Sequence, residues 1–323
     1  MLTAQSVKAR ATELGFDLCG IAAARDYAEL AFLPDWLARG FAGRMTSLNR
    51  TAARRADVRR WIPSARSVIV VARSYLTAGS PADAGEPLAR GRVAGYARGD
   101  DYHTVMGQQL EALAGWIRAE SGPETAVRWS VDAGPVQEKV YARHAGIGWT
   151  GKHTCVINPR FGSWIALGLL ACELDLAPDA PVEDRCGDCR LCMDACPAGA
   201  IVDPGVLDAR RCLAYLNVEL RGSIPEAQRR SLGQHLFGCD VCQDVCPHNA
   251  TAEHVARARW HPRPELERAA LAELWEATDA DLERIIDGTP VTRIGVNGLR
   301  RNLAAAIGNT GARVALPPEP PRT

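Results

Sequence analysis

Residues 186–197 read CGDCRLCMDACP and residues 239–247 read CDVCQDVCP, and the cysteine spacing in these two stretches decides what kind of chain this is. Cys186, Cys189, Cys192 and Cys196, followed by Pro197, reproduce C-x2-C-x2-C-x3-C-P. Such a run puts three thiolates around one cuboidal iron-sulfur cluster and hands the fourth to its neighbour. The second stretch gives only C-x2-C-x3-C-P, through Cys239, Cys242, Cys246 and Pro247; its missing first member is most economically Cys212, displaced upstream by a helical insertion. By the same crossover, Cys186, Cys189 and Cys192 pair with Cys246, while Cys239 and Cys242 pair with Cys196 and Cys212. Two [4Fe-4S] clusters are expected. Zinc also uses C-x2-C pairs, but it gives no reason for eight cysteines with Cys-Pro endings and a swapped fourth ligand.

A chain of 323 residues is too long for a lone ferredoxin, so the cluster part must serve something else. Lys plus Arg number 38 and Asp plus Glu number 38, which leaves no overall basic field, and 47% hydrophobic residues suit an ordinary soluble protein. The N-terminal MLTAQSVKARATELGF reads as an amphipathic helix capped by Thr3 rather than as a secretory signal. No window reaches the roughly 18 apolar residues of a membrane span. A cytoplasmic monomer without membrane contact is expected. Eight of the eleven cysteines fall between Cys186 and Cys246, unlike a disulfide framework; Cys19, Cys155 and Cys172 read as small buried hydrophobes.

Up to about residue 180 helix and strand alternate: strands near Phe16 to Ile21 and Ser67 to Val71, a helix around Tyr27 to Arg39, and a helix over Val105 to Glu120 with Met106, Leu110, Leu113 and Ile117 on one face. A mixed α/β domain follows. Residues 77 to 92 read as a loop. Val127 to Val131 reads as a strand that ends at Asp132, before a helix opened by Pro135, so Asp132 sits at a strand-to-helix corner. Thr154 to Asn158 and Trp164 to Leu170 read as a hairpin closed by Pro159 to Gly162. After a Pro- and Asp-rich linker and the cysteines, the chain turns helical over Leu266 to Ala277, Asp279 to Ile286 and Thr292 to Ile307, then ends in a disordered Pro-rich tail; one helical pair is visible and no convincing repeat.

Two patterns mislead. Gly146, Gly148 and Gly151 match G-x-G-x-x-G, yet a helix precedes them and a strand follows, the reverse of a dinucleotide site, so tight folding is the better reading. Asp101, His103 and Gly107 come near the corrinoid pattern D-x-H-x-x-G, but the glycine is one residue late. A histidine-ligated corrinoid is not supported, and His103 alone reads as entering the following helix.

YARGDDYHTVM at 96–106, VDAGPVQEKVYARHAGIGWTGKHTCVINPRFGSW at 131–164, the first cysteine run, RCLAYLNVELRGSIP at 211–225 and FGCDVCQDVCPHN at 237–249 together resemble the epoxyqueuosine reductases. The resemblance implies an α/β (α+β) nitroreductase-like cobalamin domain over 1–180 and a bacterial two-[4Fe-4S] ferredoxin-like module over 181–252. It implies a short C-terminal helical region over 253–323, a stub of the helical repeats that contact tRNA. The family reduces epoxyqueuosine in the anticodon loop of tRNA to queuosine, which requires cobalamin and a low-potential electron donor. The resemblance assigns Asp132 as the acid, with a carboxyl pKa raised against the corrin. It implies that Arg55, Asp132, Val156, Leu167 and Tyr215 touch the cobalamin and that Arg98, Tyr102 and His103 approach the modified base. Phosphate contacts fall to Arg50, Arg54, Arg55, Arg59 and Arg60, then Arg293, Arg300 and Arg301. His248 stands where the family commonly has Trp. The rivals are a corrinoid reductive dehalogenase, against which the GLRRN stretch and the missing twin-arginine signal count, and an electron-transfer protein that reduces cobalamin without tRNA.

Overall fold

The computed structural model describes residues 2–77, 90–255, 262–267 and 269–311; most of the loop expected at 77 to 92, and the Pro-rich tail, lie outside them. Helix α1 (Ala4–Glu13) opens the chain on a capping box in which Thr3 and Ser6 satisfy each other's backbone N–H. Strand β1 (Leu18–Ala23) follows, then α2 (Phe32–Ala38), α3 (Thr46–Arg55) and β2 (Ser67–Ser74). Next come β3 (Arg92–Val93), α4 (Tyr102–Ser121), β4 (Val127–Ser130) and α5 (Glu138–His144), then β5 (Trp149–Thr150), β6 (Val156–Ile157) and β7 (Ile165–Cys172).

Strands β1, β2, β7 and β4 form one antiparallel sheet in that order. Every residue of β2 is buried, because both faces of the sheet are covered. On one face α1 and α4 bury Val7, Ala11, Met106, Leu110, Leu113 and Ile117; on the other lie Tyr141 and Ala142 of α5 with Leu30 and Val58. The expected hairpin is not made. Asn158 and Gly162 do close a turn on each other, but β6 leaves the sheet and pairs with β5, Trp149 opposite Ile157. The reason is close packing at Gly148, where an added Cβ would stand 2.2 Å from the Ile157 carbonyl oxygen. The three glycines thus serve a tight fold, as their inverted context suggested.

The cysteine region holds α6 (Leu191–Asp194), β8 (Ile201–Asp203), β9 (Val206–Leu207), a π-helical turn at Tyr215–Glu219, α7 (Glu226–Arg229), β10 (His235–Phe237), α8 (Val241–Asp244) and α9 (Pro247–Ala250). The two cysteine runs fold alike. Each enters a four-residue helix, α6 or α8, from a residue at nearly the same backbone angles, Arg190 at φ −125, ψ 4 and Asp240 at φ −105, ψ 1. The repeated cysteine spacing thus corresponds to a repeated local fold.

Helices α10 (Pro264–Glu267), α11 (Leu271–Glu276), α12 (Asp279–Ile286) and α13 (Gly295–Asn309) complete the described chain. The single helix expected from Leu266 to Ala277 is divided, because Ala270 is extended and bridges Arg90. These helices share one core with Val93, Val218, Leu236 and Phe237, and β3 pairs in parallel with β10, so the front sheet, cysteine region and C-terminal helices are knitted together.

Candidate active site and cysteine centre

Asp132 is one of two non-glycine residues with positive φ among the described residues, at +56°; the other is Thr154. Asp tolerates this conformation better than most residues, and it turns the carboxylate out of the β4 end. Tyr102 Oη donates to Asp132 Oδ2 at 3.1 Å, and His103 Nε2 stands 3.6 Å from the same oxygen, an ion-pair distance rather than a hydrogen bond. Asp101 caps α4 by accepting from the His103 backbone N–H and holds His103 Nδ1 at 2.8 Å, so the ring is aimed by its own helix cap. Both ring nitrogens face carboxylates. Glu138 Oε1 accepts the Asp132 backbone N–H at 2.8 Å, and Arg55, at the end of α3, donates Nη1 to Val136 O.

Proton affinity in this cleft differs from the expectation. His103, first, holds the Asp132 carboxyl below its usual range, against an opposing desolvation. With its side chain 68% exposed, Asp132 owes that shift to its partners rather than to burial. Burial alone would lower His103, but hydrogen bonding and charge from Asp101 and Asp132 outweigh it and push the ring up to about 9. Burial, helped by the Asp132 charge, pushes the Glu138 carboxyl up to about 8. At neutral pH His103 and Glu138 thus hold protons, and the Asp132 carboxylate accepts from Tyr102 and faces the His103 ring. Sequence reading missed Glu138; its only signal was an acid at the start of the helix that follows the Asp132 corner.

Other expected contacts are placed variously. Tyr215 begins the π-helical turn, and its hydroxyl accepts the Arg44 backbone N–H at 2.8 Å beside Gly43, joining the cysteine region to the front sheet. Val156 is buried and Leu167 half-buried against the sheet core. Arg98 does not present a guanidinium to the cleft: it is 6% exposed, with Nε on the Val93 carbonyl. Arg293, Arg300 and Arg301 are likewise turned to structural work. Arg293 pairs with Glu219, Arg300 donates to Trp275 O and Ala277 O, and Arg301 donates to Leu220 O and Gly222 O. Carbonyls at helix ends need donors, and these arginines supply them. Arg50 and Arg54 instead stand exposed on α3, which buries none of its residues.

The thiols gather in two sets. Cys192 lies in the electrostatic reach of Cys246, Cys186 and Cys189, and these four line a cavity of about 250 Å³ together with His153, Lys152 and His248. Cys239 feels Cys212 and Cys196, and Cys242 feels Cys239 and Cys212. Among the described residues no three His, Cys, Asp or Glu side chains could hold a single metal ion. Trp149 Nε1 and His153 Nε2 are buried N–H positions without a hydrogen-bond partner; the indole faces Cys186, and the imidazole faces Cys155 and Cys246. Orphaned donors beside splayed thiols fit a sulfur-rich group between them. Cys172 is a buried apolar residue as expected, whereas Cys155 lies beside the second thiol set as well as His153.

Residues 185–249 match the family model described as a 4Fe-4S double cluster binding domain, and residues 55–133 match the one described as epoxyqueuosine reductase QueG, DUF1730. The epoxyqueuosine reductase of Gloeobacter violaceus is 42% identical over 97% of this chain and 98% of its own length. That of Salmonella typhimurium is 38% identical over 95% of this chain and 80% of its own. An epoxyqueuosine reductase solved with an epoxyqueuosine-modified tRNA-Tyr stem loop superposes with a TM-score of 0.85 at 26% identity, covering 95% of this chain and 81% of that one. The Streptococcus thermophilus enzyme gives 0.83 at 28% identity, covering 96% and 82%. No helix among the described residues is long and apolar enough to cross a membrane. With its two thiol sets inside a double-cluster domain and relatives 38–42% identical over at least 95% of this chain, the chain belongs to the epoxyqueuosine reductase family of oxidoreductases.

Proposed function

We propose that this chain reduces the epoxide of epoxyqueuosine in a tRNA anticodon loop in the cytoplasm, with cobalamin bound in the Asp132 cleft and an external low-potential donor feeding the clusters. The observation that carries the reading is the Asp132, Tyr102, His103 and Glu138 constellation in a chain of this family. We take residues 1–180 as the cobalamin-binding catalytic domain, 181–252 as the cluster module and 253–323 as the tRNA-contacting region. Cys186, Cys189, Cys192 and Cys246 hold one cluster; Cys196, Cys212, Cys239 and Cys242 hold the other.

Two electrons and two protons convert the epoxide to a double bond and water. Bound cobalamin supplies a strongly reducing cobalt centre, and the chain orients, shields and protonates. Arg55 and Tyr215 suit the polar rim of a corrin, with contacts at Val156 and Leu167. His103 would face the substrate side as an acid held by Asp101 at Nδ1 and standing 3.6 Å from Asp132 at Nε2. Asp132 touches the departing oxygen and His103 stocks its proton. An alkoxide is far more basic than either group, so the proton passes from imidazolium to carboxylate to oxygen as the C–O bond opens. Tyr102 stacks on His103 at 4.1 Å and offers a face to the modified base.

The experiment is turnover by anaerobic holoenzyme of epoxyqueuosine-bearing tRNA and, separately, of a small halocarbon. Loss of the epoxide with no carbon-halogen cleavage is expected. Dehalogenation with untouched tRNA would select the rival.

A further inference from the structure

The segment GWTGKH at 148–153 follows α5 and runs through β5 to the cavity of the first thiol set. Lys152 Nζ donates to Gly187 O at 2.5 Å and to Cys189 O at 2.9 Å, pinning the loop that carries two of its cysteines. Trp149 is 1% exposed and His153 is 3% exposed, and each has a ring nitrogen with no hydrogen-bond partner. The Cys155 backbone N–H donates to His153 Nδ1 at 3.1 Å, so Nδ1 carries the lone pair and the hydrogen belongs on Nε2 by the logic of the network. Two buried N–H groups thus lie against the same set, the indole at Cys186 and the imidazole at Cys246 with the Cys155 thiol also beside it. The second set differs. Cys196 Sγ accepts from Ala200 N at 3.2 Å, and the donors facing Cys212 and Cys239 are backbone amides of Ala214, Tyr215 and Val241.

An N–H pointed at a cluster sulfur stabilises the electron-rich reduced state, one of the levers that set cluster potential. A buried donor left unmet also costs free energy, so the segment is suited to a loaded site. We propose that Trp149 and His153 are the hydrogen-bond donors that raise the reduction potential of the cluster held by Cys186, Cys189, Cys192 and Cys246, so that the catalytic part of the chain tunes the relay it draws on. This rests on the ligand assignment made above. Both are positioning residues that act through the cluster.

The test is an anaerobic redox titration, followed by electron paramagnetic resonance, of the full reconstituted chain with Trp149→Phe, His153→Leu and His153→Asn. Iron and sulfide counts on the unaltered protein come first; absence of clusters there would fail the ligand assignment itself. With both clusters loaded, Trp149→Phe and His153→Leu each lower the reduced-to-oxidised ratio of one cluster at fixed poise by about tenfold, the upper end for one hydrogen bond, or about 59 mV for a one-electron couple. The other cluster does not move, and the amide of His153→Asn restores the first. Full loading with both potentials unshifted in Trp149→Phe and His153→Leu overturns the proposal. Should His153→Leu lose a cluster, Trp149→Phe, which keeps the ring packing, decides between the two outcomes alone. A potential that slopes with pH between about 6 and 8 would show a titrating ring and overturn the fixed donor.

Discussion

In the proposed reduction the Asp132 site and the cysteine cavity would handle the two halves by opposite means. Around Asp132 the decisive groups come from Asp101 to His103, Asp132 and Glu138, segments distant in sequence whose side chains meet one another or, for Glu138, the Asp132 backbone N–H, and they leave the Asp132 carboxylate open to solvent. In the cysteine region Cys192 and Cys246 are buried, and two short matching helices carry Cys192 and Cys242 with the other thiols on the turns around them. Proton transfer needs affinities that can be balanced against each other, so it is built from mutual contacts. Electron relay needs ligands at fixed spacing, so it is built from local chain geometry.

That contrast breaks most visibly at a ligand. Cys242→Ser should reduce bound iron from about eight to about four per chain and take turnover to background, while Asp132 and its partners keep their geometry. Iron analysis beside nucleoside mass spectrometry reads both. Full iron and normal turnover would remove Cys242 from the ligand set.

Next in size is Asp132→Asn, which should retain both clusters and corrinoid yet slow epoxide reduction by about 10²–10⁴-fold, the usual contribution of a positioned acid. An unchanged rate would assign the proton elsewhere.

The pH profile sharpens the proton side. Glu138 keeps its proton up to about pH 8 and His103 up to about pH 9, so turnover should fall as pH rises through that window and stay level below it. His103→Gln removes the first cause of the lowered Asp132 carboxyl and the stocked proton together. We expect about tenfold slower turnover at neutral pH and no limb near 9. A wild-type profile in the variant would show His103 to be a spectator.

The smallest effect separates exposed from committed arginines. Arg50→Ala with Arg54→Ala should weaken tRNA binding several-fold and flatten its logarithmic salt dependence by about 1.4–1.8 units, leaving clusters intact. Arg301→Ala should instead lower stability with little change in that slope, since its guanidinium caps carbonyls of the chain.

What the sequence carried follows the same division. The thiol sets were readable because C-x2-C spacing is local, and Thr3 and the α4 stripe were readable for the same reason. Glu138, Trp149 and His153 were not, because their roles depend on which distant group faces them. What the sequence does not show of the GLRRN arginines is that Arg301 donates to carbonyls of and just after the π-helical turn, and Arg300 to carbonyls at the end of α11. The 154–170 hairpin failed because strand pairing is a tertiary choice, and Gly148 made the closer partner of Ile157.

The central claim is most directly tested by anaerobic reconstitution with iron and sulfide, with and without cobalamin, followed by mass spectrometry of nucleosides from epoxyqueuosine-bearing tRNA under a low-potential reductant. The account predicts queuosine only when cobalamin is present and both clusters are loaded. Queuosine formed at the same rate without any corrinoid would contradict it.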